Sequence, residues 1–235
     1  MRAMRPPSLL STLLPIALVA SALLAIGSAP WALGLPWLHF VFKPLTTLLV
    51  IALAWPRGRD RPSQRRWVLV GLFCSLAGDI ALMWPQQGFL SGLLSFLLAH
   101  LAYLWAFTRP QRLAARPLAF IVYAAVAAGV LSQLWPGVPA GLRIPVLAYV
   151  VCLASMAAQA AVLWRAGEPR GAVLALGGAL FMTSDALLAF NKFAAPLPLG
   201  SLWILASYWA AQVCIAAWLA PLVSFQGMGG SDTRR

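Results

Sequence analysis

Acidic residues are nearly missing from this chain: Asp and Glu together number five in 235 residues, and all charged residues make up 9%. A soluble domain needs a charged surface and is roughly half apolar. Here the apolar share is 62% and the mean hydropathy +0.84, which excludes a water-soluble globular fold. Cysteine is scarce as well. Cys74, Cys152 and Cys214 lie in apolar stretches without CxxC or zinc-ligand spacing. That excludes a disulfide framework and leaves three small buried hydrophobes. The strict polar–apolar alternation of a membrane barrel is also absent. Helices are then the remaining way to cross a bilayer with every backbone group satisfied.

What the chain has in quantity is long apolar runs. About 20 such residues span a membrane as a helix, and eight runs qualify: 8–26, 35–55, 67–84, 89–107, 118–135, 144–164, 171–190 and 200–222. The expected fold is all-α, a polytopic membrane protein built as a bundle of eight transmembrane helices. Residues 1–224 form one domain, and 225–235, rich in glycine and ending in charges, read as a disordered tail. Trp31, Trp55, Trp67, Trp84, Trp135 and Trp164 fall near the expected helix ends, where an aromatic belt belongs.

The net charge of +12 suggests nucleic acid until its distribution is read. Arg57, Arg59, Arg61, Arg65 and Arg66 fill the second connection, Arg109, Arg112 and Arg116 the fourth, Arg165 and Arg170 the sixth. Arg2, Arg5, Arg234 and Arg235 put the tails on that same side, while the opposite side holds only Arg143 and Lys192. Such asymmetry is the positive-inside signal. Both termini are therefore expected in the cytoplasm, the basic loops meet anionic lipid, and a nucleic-acid partner is not expected. The Arg-rich, Ala-rich composition suggests a bacterial cytoplasmic membrane. Ala25-Ile-Gly27-Ser-Ala29 after an apolar run imitates a signal-peptide cleavage site, but Pro30 disfavours cleavage there, so the first helix is expected to stay.

A weak internal repeat follows from a shift of 106 residues. It lays Gly71 on Gly177, Asp79 on Asp185 and Lys43 on Tyr149. Four helices per half, entering from the same side, make a parallel 4+4 repeat with halves at about 8–107 and 118–222. Asp79 and Asp185 are the candidates for chemistry, because a carboxyl in hydrocarbon is costly and usually functional. Ser75 and Asp79 share a helix face at i and i+4, as do Tyr208 and Gln212; His100 and Tyr103 share one at i and i+3. With a ~1.5 Å rise per residue, these groups and Lys43 fall at overlapping depths in the non-cytoplasmic half. Lys43 suits an ion pair with either acid. Tyr103, Tyr149, Tyr208 and Gln212 suit interhelical hydrogen bonds. Thr46, Thr47 and Thr183 are expected to bond back to their own helices, and Asn191 and Lys192 to end the seventh helix.

The segments Lys43-Pro44-Leu, Ser75-Leu-Ala-Gly78-Asp79, His100-Leu-Ala-Tyr103, Thr183-Ser184-Asp185 and Tyr208-Trp-Ala-Ala-Gln212 follow one another across the spans. In this order they resemble the YhhN-like lysoplasmalogenase family, over nearly the whole chain from the second helix to the eighth. The resemblance implies hydrolysis of the vinyl-ether bond of a lysophospholipid within the bilayer, giving a fatty aldehyde and a glycerophospho-base. It implies no metal or organic cofactor. Asp79 and Asp185 would be the catalytic pair, with Lys43, Ser75, His100, Tyr103, Tyr149, Ser184, Tyr208 and Gln212 in support.

The chemistry suits the residues. Protonating the β-carbon of a vinyl ether creates an oxocarbenium ion that water captures. This is close to glycoside hydrolysis, where one carboxyl acts as acid while an ionised partner stabilises the cation or activates water. Two other classes use the same groups. A proton-coupled transporter also employs intramembrane acids, a lysine and a repeat. An intramembrane aspartyl protease needs two helix-borne acids; Ala77-Gly78-Asp79 fits it, but Ser184 stands where the second site needs glycine.

Overall fold

The computed structural model describes residues 9–29, 33–84 and 86–220. Arg2, Arg5, Pro30, Trp31, the 225–235 tail and its two arginines lie outside the described residues. The helices are α1 (Leu9–Gly27), α2 (Pro36–Ala54), α3 (Pro62–Ala81), α4 (Phe89–Phe107), α5 (Pro117–Leu134), α6 (Arg143–Arg165), α7 (Gly171–Phe193) and α8 (Gly200–Trp218), with two short 3-10 turns between α5 and α6. Prolines open α2, α3 and α5, where the missing N–H costs nothing and the fixed φ is already helical.

Six of these helices, all but α1 and α3, are long and apolar enough to cross a membrane. The protein is a helical membrane protein. The described apolar part of α1 is the shorter Thr12–Gly27. The start of α3 differs from the expectation of residue 67. Pro62 begins the helix there, so Ser63 to Arg66 form a polar first turn that an apolar run cannot reveal. Arg65 in that turn donates to the Trp55 carbonyl from Nε (3.2 Å) and Nη2 (2.8 Å), closing the end of α2. At its other end α7 runs on to Phe193, so Asn191 and Lys192 sit in its last turn. Asn191 fixes the next turn by accepting the Leu197 N–H at 2.9 Å.

α3 packs closely on α4 and α7 on α8, while α6 lies at the centre against α4, α5 and α7. Contact between α2 and α8, with α1 against both, closes the bundle. Small residues permit the closest approaches, as in membrane helix pairs generally. A Cβ on Gly71 would lie 2.3 Å from the Tyr103 ring of α4, and one on Gly177 would lie 2.9 Å from Cys214 Cβ of α8.

The arginine-rich connections gather at one end. Arg61 pairs with Glu168 at 3.3 Å and donates to the Trp218 carbonyl at 2.9 Å, tying three chain segments together. Buried Gln159 of α6 holds the α4–α5 connection, donating to the Gln111 carbonyl at 3.0 Å and accepting the Ala114 N–H at 3.2 Å. Its role was missed in the sequence. The available signal was a lone amide inside the Ala-rich run of α6, the same signal that marked Gln212.

A Cβ at Gly178 would stand 3.0 Å from the Ala157 Cα, a backbone atom, whereas one at Gly129 meets nothing within 4 Å. Gly178→Ala is expected to lower stability by about 1–3 kcal/mol, and Gly129→Ala to leave it unchanged or slightly raised. Thermal unfolding of the two variants in detergent, side by side, checks the α6–α7 contact.

Candidate active site

A carboxyl deprived of water needs polar partners, and the two acids of the helices obtain theirs from different neighbours. Asp79 on α3 is 1% exposed. The hydroxyls of Thr47 on α2 and Tyr208 on α8 donate to its Oδ2 at 2.6 and 2.8 Å. Lys43 Nζ lies 4.0 Å from Oδ1, and Trp209 Nε1 supports Thr47 at 3.2 Å. Asp79 thus joins α2, α3 and α8. Thr47 departs from expectation. Thr46 and Thr183 do bond back to the Phe42 and Ala179 carbonyls, but Thr47, one position further round the helix, donates to the carboxyl.

Asp185 on α7 has a sparser shell, and its side chain is 11% exposed. The Tyr149 hydroxyl on α6 donates to Oδ2 at 2.5 Å, and His100 Nε2 on α4 lies 3.8 Å from the same oxygen. His100 is fully buried between the rings of Tyr149 (5.1 Å) and Phe181 (4.6 Å). Neither of its ring nitrogens has a hydrogen-bond partner among the described residues. Phe181 also packs on Tyr208 at 5.5 Å, so one aromatic ring touches both sets. Among the described residues no hydrogen bond or ion pair links Asp79 to Asp185. The expected polar cluster resolves into two networks that share an aromatic wall.

The remaining candidates support these networks at a remove. Tyr103 donates to Gln212 Oε1 at 2.7 Å, with the Ser75 hydroxyl 3.5 Å from the Tyr103 oxygen. Gln212 Nε2 is buried with no hydrogen-bond partner among the described residues. Ser184 donates to the Ile204 carbonyl at 2.9 Å, fastening α7 to α8. Among the described residues no three His, Cys, Asp or Glu side chains converge as metal ligands.

A cavity of about 850 Å³, its mouth included, lies between α4, α5, α6 and α7. Its lining is apolar, with Leu93, Phe96, Leu131, Val150 and Met182 typical, and Asp185 and Tyr149 are the two polar residues on it. Asp79 and Lys43 are off its wall. The cavity sits toward the ends of these helices opposite the arginine-rich connections, where α4 and α6 begin and α5 and α7 end.

An apolar helical bundle that encloses two carboxyls, one of them on the wall of an apolar cavity, defines a helical membrane protein with an acid group at that cavity. The YhhN family profile matches residues 38–219, and the chain belongs to that family. It is 41% identical over 182 residues to the lysoplasmalogenase TMEM86B of Sus scrofa, covering 77% of this chain and 74% of the relative. The human lysoplasmalogenase TMEM86B is 35% identical over 187 residues, covering 77% and 75%. A lysoplasmalogenase of Mycobacterium bovis is 32% identical over 182 residues, covering 72% and 65%. No solved structure matches the chain.

Lys43 and Asp79 should behave as a coupled pair. Lys43→Met strands a buried carboxylate, for which a loss of about 3–5 kcal/mol is typical. Adding Asp79→Asn is expected to restore part of that loss. A double-mutant cycle on thermal stability should give a coupling above ~1 kcal/mol; purely additive losses would show no functional ion pair.

Proposed function

We propose that this protein is a lysoplasmalogenase, a membrane-embedded hydrolase that cleaves the vinyl ether of a lysophospholipid to a fatty aldehyde and a glycerophospho-base. Its relatives carry that name at 32–41% identity over about three quarters of the chain. The observation that carries the reading is the carboxyl of Asp185 on the wall of an otherwise apolar cavity. An alkenyl chain fits such a lining, and its one acid-sensitive bond lies where the chain meets oxygen. Transport has no comparable support, since the relatives are named as hydrolases.

In this mechanism Asp185 is the reacting acid. Its proton passes to the β-carbon of the vinyl ether, and the positive charge spreads over the adjoining carbon and the ether oxygen. Water adds to that carbon, and its surplus proton returns to the Asp185 carboxylate. The resulting hemiacetal then breaks its bond to the glycerol oxygen, which takes a proton as the aldehyde forms. Tyr149, at 2.5 Å, orients the carboxyl. His100, 3.8 Å from the same Asp185 oxygen and behind the cavity wall, exchanges a proton with that carboxyl between steps. Asp79 contributes a fixed negative charge toward the cation and holds Tyr208 against Phe181.

Eight spans form two parallel halves of four helices. In support, positions 106 apart stand in equivalent relations: Lys43 beside Asp79, Tyr149 beside Asp185. The α4–α6 contact also has its counterpart in α8–α2. With the arginine-rich end in the cytoplasm, the cavity belongs to the outer half of a bacterial cytoplasmic membrane.

Aldehyde release from alkenyl-lysophosphatidylethanolamine tests the reaction. The wild type should turn over, and Asp185→Asn should lose about 100-fold or more, the usual range for a general acid. Asp79→Asn should lose at least about tenfold, because a charge that stabilises the cation is removed. A folded Asp185→Asn protein that keeps over a tenth of the rate would remove Asp185 from the chemistry.

A further inference from the structure

Among the described helices α5 is the most weakly embedded, with 11% of its span buried against 67% for α6. It leans on α6 and lightly on α7, and makes little contact with α4, its predecessor in the chain. The cavity lies behind this seam. Leu93 and Phe96 line it from α4, Ala127 and Leu131 from α5, and the two polar residues from the α6–α7 side.

We propose that the α4–α5 seam is a side portal to the bilayer, and that the cavity behind it holds the single hydrocarbon chain of the substrate, with Ala127 and Ala189 setting the chain length accepted. This rests on the vinyl-ether reading, because the reacting bond at Asp185 puts the first methylenes inside the cavity. The lining excludes the other end of the lipid. Burying a phosphate against apolar walls without partners is prohibitively costly, so the headgroup stays outside. A chain that slides in sideways leaves one apolar surrounding for another and never meets water. Ala189 lies one helical turn from Asp185, about 6 Å along α7, and Ala127 lies about 10 Å along α5 from Leu134 at its end. Both side chains are small where an aromatic ring would fill the chain's path.

The test compares alkenyl-lysophosphatidylethanolamines bearing long (hexadecenyl) and short (decenyl) chains, using the full protein in nanodiscs. Ala127→Phe and Ala189→Phe are each expected to lower the long-to-short ratio of kcat/KM at least tenfold. Val122→Phe, on the outward face of α5 (Val122 is 51% exposed) and off the cavity, should leave the ratio alone. Two independent cavity variants guard against one failing to fold. A ratio unchanged within twofold in both would overturn the proposal. If the wild type cleaves neither substrate, the reaction reading fails and the portal is judged by binding. The probe is then radiolabelled 1-O-hexadecyl-lysophosphatidylcholine, whose saturated ether this route cannot cleave. Tenfold weaker binding in the cavity variants supports the chain pocket; equal binding in all three variants and the wild type overturns it.

Discussion

The cost of holding a carboxyl away from water organises this bundle. Asp79 and Asp185 are tolerable inside apolar helices only because other helices bring donors to them. Thr47 and Tyr208 reach Asp79 from α2 and α8, and Tyr149 reaches Asp185 from α6. These are long-range contacts, so the acids fix which helices stand side by side. Glycines at 71 and 177 then let the two closest helix pairs approach.

The two acids differ in how they are supplied with partners. Position 43 presents a lysine to Asp79, while the residue 106 further on presents a tyrosine to Asp185. One carboxyl is met by a charge and two hydroxyls and lies off the cavity. The other has one hydroxyl, a histidine at 3.8 Å, and an apolar space in front of it. The first, better supplied with partners, joins α2, α3 and α8 and in the proposed mechanism keeps its charge fixed. In the proposed mechanism the second, with fewer partners and an apolar cavity before it, gives up its proton.

Much of this was legible in the sequence because hydrocarbon permits so few structures. α4 begins and ends where the apolar run does, and Lys43, Ser75, Asp79, His100, Ser184 and Gln212, which stood out in apolar runs, are buried, whereas Thr183 is exposed. The failures have definite causes. The first turn of α3 is polar and projects past the apolar stretch, so hydropathy started the helix five residues late. Thr47 was assigned to its own backbone because a threonine's rotation about the helix relative to a distant acid is invisible in one dimension. The split into two networks, and the cavity reaching only one of them, depends on how α4 to α7 splay, a tertiary fact with no local signature. Gln159 was passed over although it carried the same mark as Gln212.

In the proposed reaction carbon, and not oxygen, receives the first proton, from a carboxyl at the cavity wall. Single-turnover cleavage in D₂O, with immediate borohydride trapping of the aldehyde, tests it directly. The account predicts one solvent deuterium on the carbon next to the former carbonyl. An aldehyde trapped without that deuterium would show that the bond is broken by another route.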